Sequence, residues 1–289
     1  MKKLGKTQPD SDVVNNQPKV LLIGFGWLGQ FYHKYFTQAD IVTSKGFSKK
    51  KYNHYDLAII GVPTPMNKET GQCDTSIVEK AVEKYKDIVN VFLVKSTVEI
   101  GTCKRLEIEF NVPVCMSPEF LGETLGHPLL EPRKDGFQII GGNKIAREAV
   151  ARMFMKVLNA NAPIHLVSHE EAEIIKYSEN YWIMRRVEYW NDVFEICQTF
   201  NASFNDVREG IVLDPRMNRT HSNVYEDNLG WSGKCLPKDM NALSYTMHSV
   251  GKPLKTLVHS LRKNAKVRKN YKDNNQLLPN KPTWKNEEN

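Results

Sequence analysis

The sequence has no apolar run behind the lysines of Met1 to Gln17 that could serve as a secretory signal. It also has no stretch approaching the roughly 20 apolar residues that a bilayer-spanning helix needs. The five cysteines, at 73, 103, 115, 197 and 235, are odd in number, irregularly spaced and without a Cys-x-x-Cys pair. That pattern excludes a disulfide framework, supplies no metal site, and points to reduced thiols in a cytoplasmic protein. Internal repeats and low-complexity segments are absent as well, which sets repeat architectures aside.

What is present is a chain of 289 residues with 40% hydrophobic content, enough to bury the core of one large or two modest domains. The formal net charge of +7 suits an anionic substrate. Much of it lies late: from Arg262 onward there are eight basic residues against three acidic ones. Without a recognisable binding module such a tract reads as a solvated end, so neither nucleic acid nor a membrane is expected as a partner.

The run Lys19-Val-Leu-Leu-Ile-Gly24-Phe-Gly26-Trp-Leu-Gly29 predicts a buried strand, a glycine turn and a helix continuing to about Phe36. Further apolar runs at Ile41 to Ser44, Leu57 to Val62, Val91 to Val94, Val112 to Met116 and Phe137 to Ile140 alternate with helical stretches such as Ile77 to Tyr85. This alternation predicts an α/β fold, a Rossmann-type parallel sheet covered on both faces. From Glu170 to about Phe200 apolar residues at three- and four-residue steps predict one long helix, the spine of a second, helical domain and a subunit contact. A short helix near Val207 and two more over Asn241 to Val250 and Leu254 to Asn264 follow. The expected organisation is a polar tail over 1–17, a dinucleotide-binding domain over 18–165, a helical central or dimerisation domain over 166–265 and a basic tail over 266–289.

Gly24-x-Gly26-x-x-Gly29 is the dinucleotide fingerprint in its proper context between strand and helix, which makes Gly24, Gly26, Trp27, Leu28 and Gly29 candidates for holding the cofactor. One part of the fingerprint is missing. The second strand ends Thr43-Ser44-Lys45, where an NAD site has an Asp or Glu for the ribose hydroxyls. NAD is the expected cofactor, and the hydroxyl followed by a cation keeps NADP open as the alternative. Lys176 and Asn180 lie one helical turn apart and could share a reacting oxygen, although such a pair also occurs by chance on helix surfaces. Cys235 sits in a glycine-flanked turn leading into a helix, between Lys234 and Lys238, where a thiolate is favoured.

Taken together, Val62-Pro-Thr64-Pro65 followed by Asp74, Lys95-Ser-Thr97-Val98, Ser117-Pro-Glu119-Phe120-Leu121 with Glu123, the helix Lys176…Asn180 with Arg186-Val187 and Asn191-Asp192, Asp214-Pro-Arg216 and Cys235-Leu-Pro-Lys238-Asp239 resemble the UDP-glucose/GDP-mannose 6-dehydrogenase family, in the family's order, from about Val20 to about Asn264. The resemblance implies an NAD-dependent oxidation of a nucleotide-sugar C6 alcohol, UDP-glucose first among the candidates, to a carboxylate by two hydride transfers. It implies Cys235 as nucleophile, with Lys176, Asn180 and Asp239 around the reacting oxygen and Glu119 assisting hydrolysis of the thioester. Thr64, Thr97, Glu123 and Lys238 would line the cofactor, with Thr97 also near the chemistry. Glu119, Phe120, Leu121, Lys176, Asn180 and Arg216 would meet the substrate, in a homodimer built through the long helix.

Three departures from the family pattern stand out. Members continue into a second dinucleotide-like domain that grips the substrate's nucleotide, so the resemblance implies a partner chain supplying it or a smaller substrate. The first domain is abbreviated between Ser44 and Leu57, and Trp231-Ser232 stand in a loop usually richer in glycine. Two other readings are kept beside the leading one: a β-hydroxyacid dehydrogenase, which would not need Cys235, and a non-catalytic dinucleotide-binding or assembly module.

Overall fold

The structure, a computed structural model, describes residues 17–120, 137–269, 271 and 279–282. The chain forms two compact units whose segments interleave. The first holds the described residues up to Pro63 with Ser76–Thr97 and Gly101–Glu173; the second holds Thr64–Thr75, Val98–Ile100 and the described residues from Ile174 on.

The first unit is an eight-stranded sheet of β1 (Val20–Ile23), β2 (Asp40–Thr43), β3 (Gly46–Phe47), β4 (Leu57–Ile60), β5 (Phe92–Val94), β6 (Val114–Met116), β7 (Gln138–Gly141) and β8 (Ile164–Val167). The strand order is β3-β2-β1-β4-β5-β6-β7-β8. Strands β2, β1, β4, β5 and β6 run parallel, β3 pairs antiparallel with β2, β7 antiparallel with β6, and β8 parallel with β7. Strands β1, β4 and β5 are buried along their whole length, which is why they read as continuous apolar runs rather than alternating ones. Because the chain leaves β1 for β2 on one side and places β4 on the other, the carboxyl end of β1 is a topological switch point, where ligands bind in open sheets of this kind.

Helices α1 (Trp27–His33), α2 (Ser76–Tyr85), α3 (Thr102–Phe110) and α4 (Lys144–Met155) belong to this unit. The first ends at His33, short of the expected Phe36. Tyr35 and Phe36 turn into the core instead, and Phe36 and Tyr32 meet Phe154 of α4 edge to face at 5.5 and 6.1 Å. Such ring contacts add about 1 kcal/mol each to the burial itself. Glu173 is fully buried against the start of α3, accepting from the Gly101 and Cys103 amides at 2.5 and 2.9 Å. Burial pushes its carboxyl up to about 7 despite those two donors.

The long helix expected from Glu170 to Phe200 is α5, His169–Thr199, and most of it lies in the second unit. Helices α6 (Phe204–Ile211), α7 (Leu236–Ser249) and α8 (Lys255–Arg268) follow. Tyr177 and Met184 of α5, Met240 and Leu243 of α7, Leu257 and Leu261 of α8, Trp231 and Cys73 make one apolar core. Trp190, Val193 and Cys197 make another with α6. Helix α8 runs past the expected end at Asn264 because Arg268, only 1% exposed, turns inward to bond Asn228 and Leu229 O and lies over Tyr271 at 4.9 Å. Of the 266–289 tail, residues 266–268 are thus the last turn of α8. Asn280 N and Lys281 N donate to Lys68 O and Glu69 O at 2.6 and 2.7 Å. Among the described residues no helix is long and apolar enough to cross a membrane.

Candidate active site

In the glycine turn each glycine has its own surroundings. Gly24 has φ +93°, and a Cβ there would stand 2.4 Å from Gly61 O; a Cβ on Gly29 would stand 2.2 Å from Gly24 O. In contrast, a Cβ on Gly26 would meet nothing within 4 Å. The first and third positions are filled by protein and the second faces open space, the arrangement that admits a pyrophosphate against the backbone. The residues therefore fit a dinucleotide. Trp27 is exposed beside this opening, and Leu28 packs towards Gly61.

Farther along the same unit, Glu119 is mostly buried and held on two sides. The Tyr32 hydroxyl donates to it at 2.9 Å, and the Lys95 ammonium stands 3.5 Å away. Lys95 is itself buried; it donates to Ser117 Oγ at 2.9 Å and to Pro118 O and Gln138 Oε1 at 3.4 Å, and it covers the Tyr32 ring at 4.9 Å. Burial, then Glu119, drives the Tyr32 hydroxyl well above the ordinary tyrosine range, so it serves as a proton donor to the carboxylate. Phe120 N donates to Glu119 Oε1 at 3.0 Å, and the Phe120 ring packs on Phe137 at 5.3 Å. Thr97 ends this unit's Ser76–Thr97 segment.

The second unit carries a connected row of polar side chains. Lys176 Nζ donates to Glu179 at 3.1 Å and to Asn180 Oδ1 at 3.4 Å, and Asn180 Nδ2 donates to Asp239 Oδ2 at 2.5 Å. The other oxygen of Asp239 is bonded by Lys238 Nζ. Asp239 is 1% and Asn180 4% exposed, so the carboxylate is held with little help from water. Cys235 begins α7, its carbonyl accepting from Asp239 N at 2.9 Å, with Pro237 inside the first turn where its missing N–H costs nothing. It is exposed, whereas the other four cysteines are buried. Burial opposes the Lys238 ammonium, but Asp239, Cys73 and Cys235 outweigh it and hold its pKa above the usual lysine value. Cys73, hydrogen-bonded to Thr64, is pushed up to about 11 by burial and stays a thiol.

The turn that leads into Cys235 is fastened from α5 and α8. Gly230 N donates to Asn191 Oδ1 at 2.9 Å, and Trp231 Nε1 to Glu188 Oε1 at 3.3 Å. Asn264 takes both backbone groups of Trp231: it accepts from the amide at 2.9 Å and donates to the carbonyl at 3.0 Å. Trp231, a departure in sequence, is 3% exposed and belongs to the core.

Within the second unit the structure thus joins Lys176, Asn180, Lys238 and Asp239, close to Cys235 in sequence and to Thr64 through Cys73. Arg216 stands outside that row, exposed, its guanidinium folded back on Asp214 at 2.5 Å. Leu121 and Glu123 lie outside the described residues. Tyr32, Lys95, Gln138, Cys73 and Asn264 were not singled out as site residues by the sequence. Only Lys95, a cation closing a buried strand, left a signal that could have found it.

Two family descriptions match this chain: the NAD binding domain of the UDP-glucose/GDP-mannose dehydrogenase family over residues 28–158, and the central domain of the same family over 170–266. Among curated proteins it is similar to the UDP-glucose 6-dehydrogenase of Campylobacter jejuni, 28% identical over 77% of this chain and 56% of that protein. It is also similar to the UDP-glucose 6-dehydrogenase TuaD of Bacillus subtilis, 30% identical over 74% of this chain and 47% of that protein. The chain spans about half the length of these relatives. In fold it resembles a UDP-glucose dehydrogenase from Pyrobaculum islandicum, with TM-score 0.74 and 22% identity over 92% of this chain and 71% of that one. A Mycobacterium tuberculosis 3-hydroxyisobutyrate dehydrogenase shares the fold at TM-score 0.68 and 11% identity, covering 91% of this chain and 96% of that one.

Proposed function

Because the chain belongs to the UDP-glucose/GDP-mannose dehydrogenase family, we propose that it oxidises the C6 alcohol of a nucleotide sugar, UDP-glucose first among candidates, to the carboxylate, with Cys235 as covalent nucleophile. The observation that carries this reading is the row Lys176–Asn180–Asp239–Lys238 beside the one exposed cysteine. Overall, one alcohol, one water and two oxidised nicotinamides become one carboxylate, two reduced nicotinamides and three protons. A bound nicotinamide dinucleotide would supply the hydride acceptor for each half of the reaction.

Asp239 is the base for the C6 hydroxyl proton, and Asn180 and Lys176 hold the oxygen that loses it. The Cys235 thiolate then adds to the aldehyde carbon, giving a thiohemiacetal whose oxyanion Lys176 steadies. Loss of the second hydride leaves a thioester on Cys235, and water, polarised by Glu119, cleaves it and returns the thiolate. Holding the aldehyde on sulfur prevents its escape while reduced cofactor is exchanged for oxidised. Arg216 serves the substrate's anionic part, and Thr64, Thr97 and Lys238 the cofactor. Trp182, Tyr189 and Ile196, exposed at seven-residue intervals along α5, form the contact of a homodimer, with Phe200 extending it.

Reduced-nicotinamide absorbance, recorded with purified protein, NAD or NADP, and UDP-glucose or GDP-mannose, tests the reading. The expected result is two reduced cofactors per sugar, lost in Cys235→Ser. One reduced cofactor per substrate with Cys235→Ser fully active would place the protein with the β-hydroxyacid dehydrogenases. Cofactor binding without turnover on any sugar would make it a binding module.

A further inference from the structure

We infer that the turn Thr43-Ser44-Lys45 is a site for the 2′-phosphate of an adenine dinucleotide, so that the phosphorylated cofactor, NADP, is bound in preference to NAD. The inference rests on the cofactor binding proposed above and specifies which dinucleotide it is.

The register of the sheet sets the place. Ile23 pairs with Val42, and Gly24 N donates to Val42 O at 2.9 Å, so the residues after Val42 emerge at the carboxyl edge beside the glycine turn. In a sheet of this type a dinucleotide's adenosine ribose lies at the end of β2, and a carboxylate there accepts from both ribose hydroxyls. No Asp or Glu occurs anywhere from Ile41 to Tyr55. The two acids that bracket this stretch are committed elsewhere. Asp40, at the start of β2 and 1% exposed, accepts from Lys51 N at 2.7 Å, Tyr52 N at 3.1 Å and the Tyr55 hydroxyl at 2.8 Å. Asp56 accepts from Lys19 N at 2.8 Å, at the amino end of β1 and therefore the far edge of the sheet.

What replaces the carboxylate is a fixed turn. Thr43 pairs with Gly46 and Val42 with Phe47, leaving Ser44 and Lys45 as the two residues between the strands, with Gly46 at φ +95° allowing the tight return. Lys45 N donates to Thr43 Oγ1 at 3.2 Å, Ser48 N to Ile41 O at 3.0 Å, and the Phe47 ring rests edge-on against Tyr85 at 6.2 Å. Thr43, Ser44 and Lys45 are all exposed. Of the neighbouring cations, Lys50 lies over the Phe47 ring, Lys51 reaches back to Gln38 and Lys49 follows β3, whereas Lys45 belongs to the turn itself. Two hydroxyls and an ammonium on a short rigid turn match a phosphate dianion, which accepts hydrogen bonds and carries charge. The same groups give a plain ribose diol no acceptor carboxylate.

Calorimetric titration of the whole chain with 2′,5′-ADP and 5′-AMP, then with NADPH and NADH, tests this. The phosphorylated member of each pair should bind at least about tenfold tighter, with the preference shrinking as salt is raised. Lys45→Glu should remove the preference, weakening 2′,5′-ADP far more than 5′-AMP; Lys45→Gln, a milder change at the same exposed position, should reduce it part-way. Equal or tighter binding of 5′-AMP and NADH by the unaltered protein overturns the inference while leaving the oxidoreductase reading intact. Failure of all four to bind overturns both.

Discussion

Glu173 shows how burial can dominate a residue's behaviour. Its carboxyl accepts two backbone N–H groups, which ordinarily hold a carboxylate low, yet removal from water wins and the group titrates near 7. Since the folded value lies above the unfolded one, the native state binds this proton more tightly. The associated stability is fully present below about pH 4.5 and is lost as the pH climbs to about 7, a change on the order of 3 kcal/mol. Urea midpoints compared between unaltered protein and Glu173→Gln across that window should show a downward slope only in the former; parallel slopes would remove the assignment. Nothing in the sequence hints at this, because a Glu in the second turn of a helix reads as exposed. Cys235 was the opposite case, since glycines and lysines around a thiol are a local pattern. Lys176 and Asn180 were legible too, because four-residue spacing fixes a shared helix face. The Tyr32–Glu119–Lys95 group was not: Tyr32 stands on α1, Lys95 just after β5 and Glu119 after β6, and only the folded sheet brings them together.

At the scale of elements, α8 acts as a fastening for the turn that presents Cys235. Asn264→Ala would strand the buried amide and carbonyl of Trp231 at once, each costing roughly 1–3 kcal/mol. Denaturant unfolding should therefore show a loss of about 2–6 kcal/mol. Asn264→Asp, which keeps the acceptor and removes the donor, should lose less. A neutral alanine variant would mean that the turn is held without Asn264. Periodicity located α5, α7 and α8 because each buries a helical stripe. It stopped α8 at Asn264, where the pattern turns charged, because a buried arginine such as Arg268 cannot be told from a surface one by type. Strand β3 escaped for a different reason: two residues are too few to carry an alternation.

For the whole molecule, the exposed row on α5 makes a test of assembly. Trp182 is 62% and Ile196 58% exposed, an amount of apolar surface that a partner helix would cover. If two chains meet there, Trp182→Glu with Ile196→Glu should halve the mass found by sedimentation without altering the circular dichroism. A monomeric unaltered protein would remove the homodimer from the proposal. The sheet followed by a helical region was readable from the switch between strand-rich and helix-rich sequence. The interleaving was not, because Thr64–Thr75 and Val98–Ile100 carry no compositional mark of the unit they join.

That interleaving bears on the order in which the molecule can be made. The chain passes from one unit to the other at Pro63, Thr75, Thr97, Ile100 and Glu173. Gly71, tucked against Asn241, waits for a neighbour about 170 residues downstream. At a ribosomal pace of roughly 5–20 residues per second, that interval is on the order of ten to thirty seconds. Through it Cys73, which ends in one apolar core with Met240, Leu257 and Leu261, has none of those three neighbours to cover it.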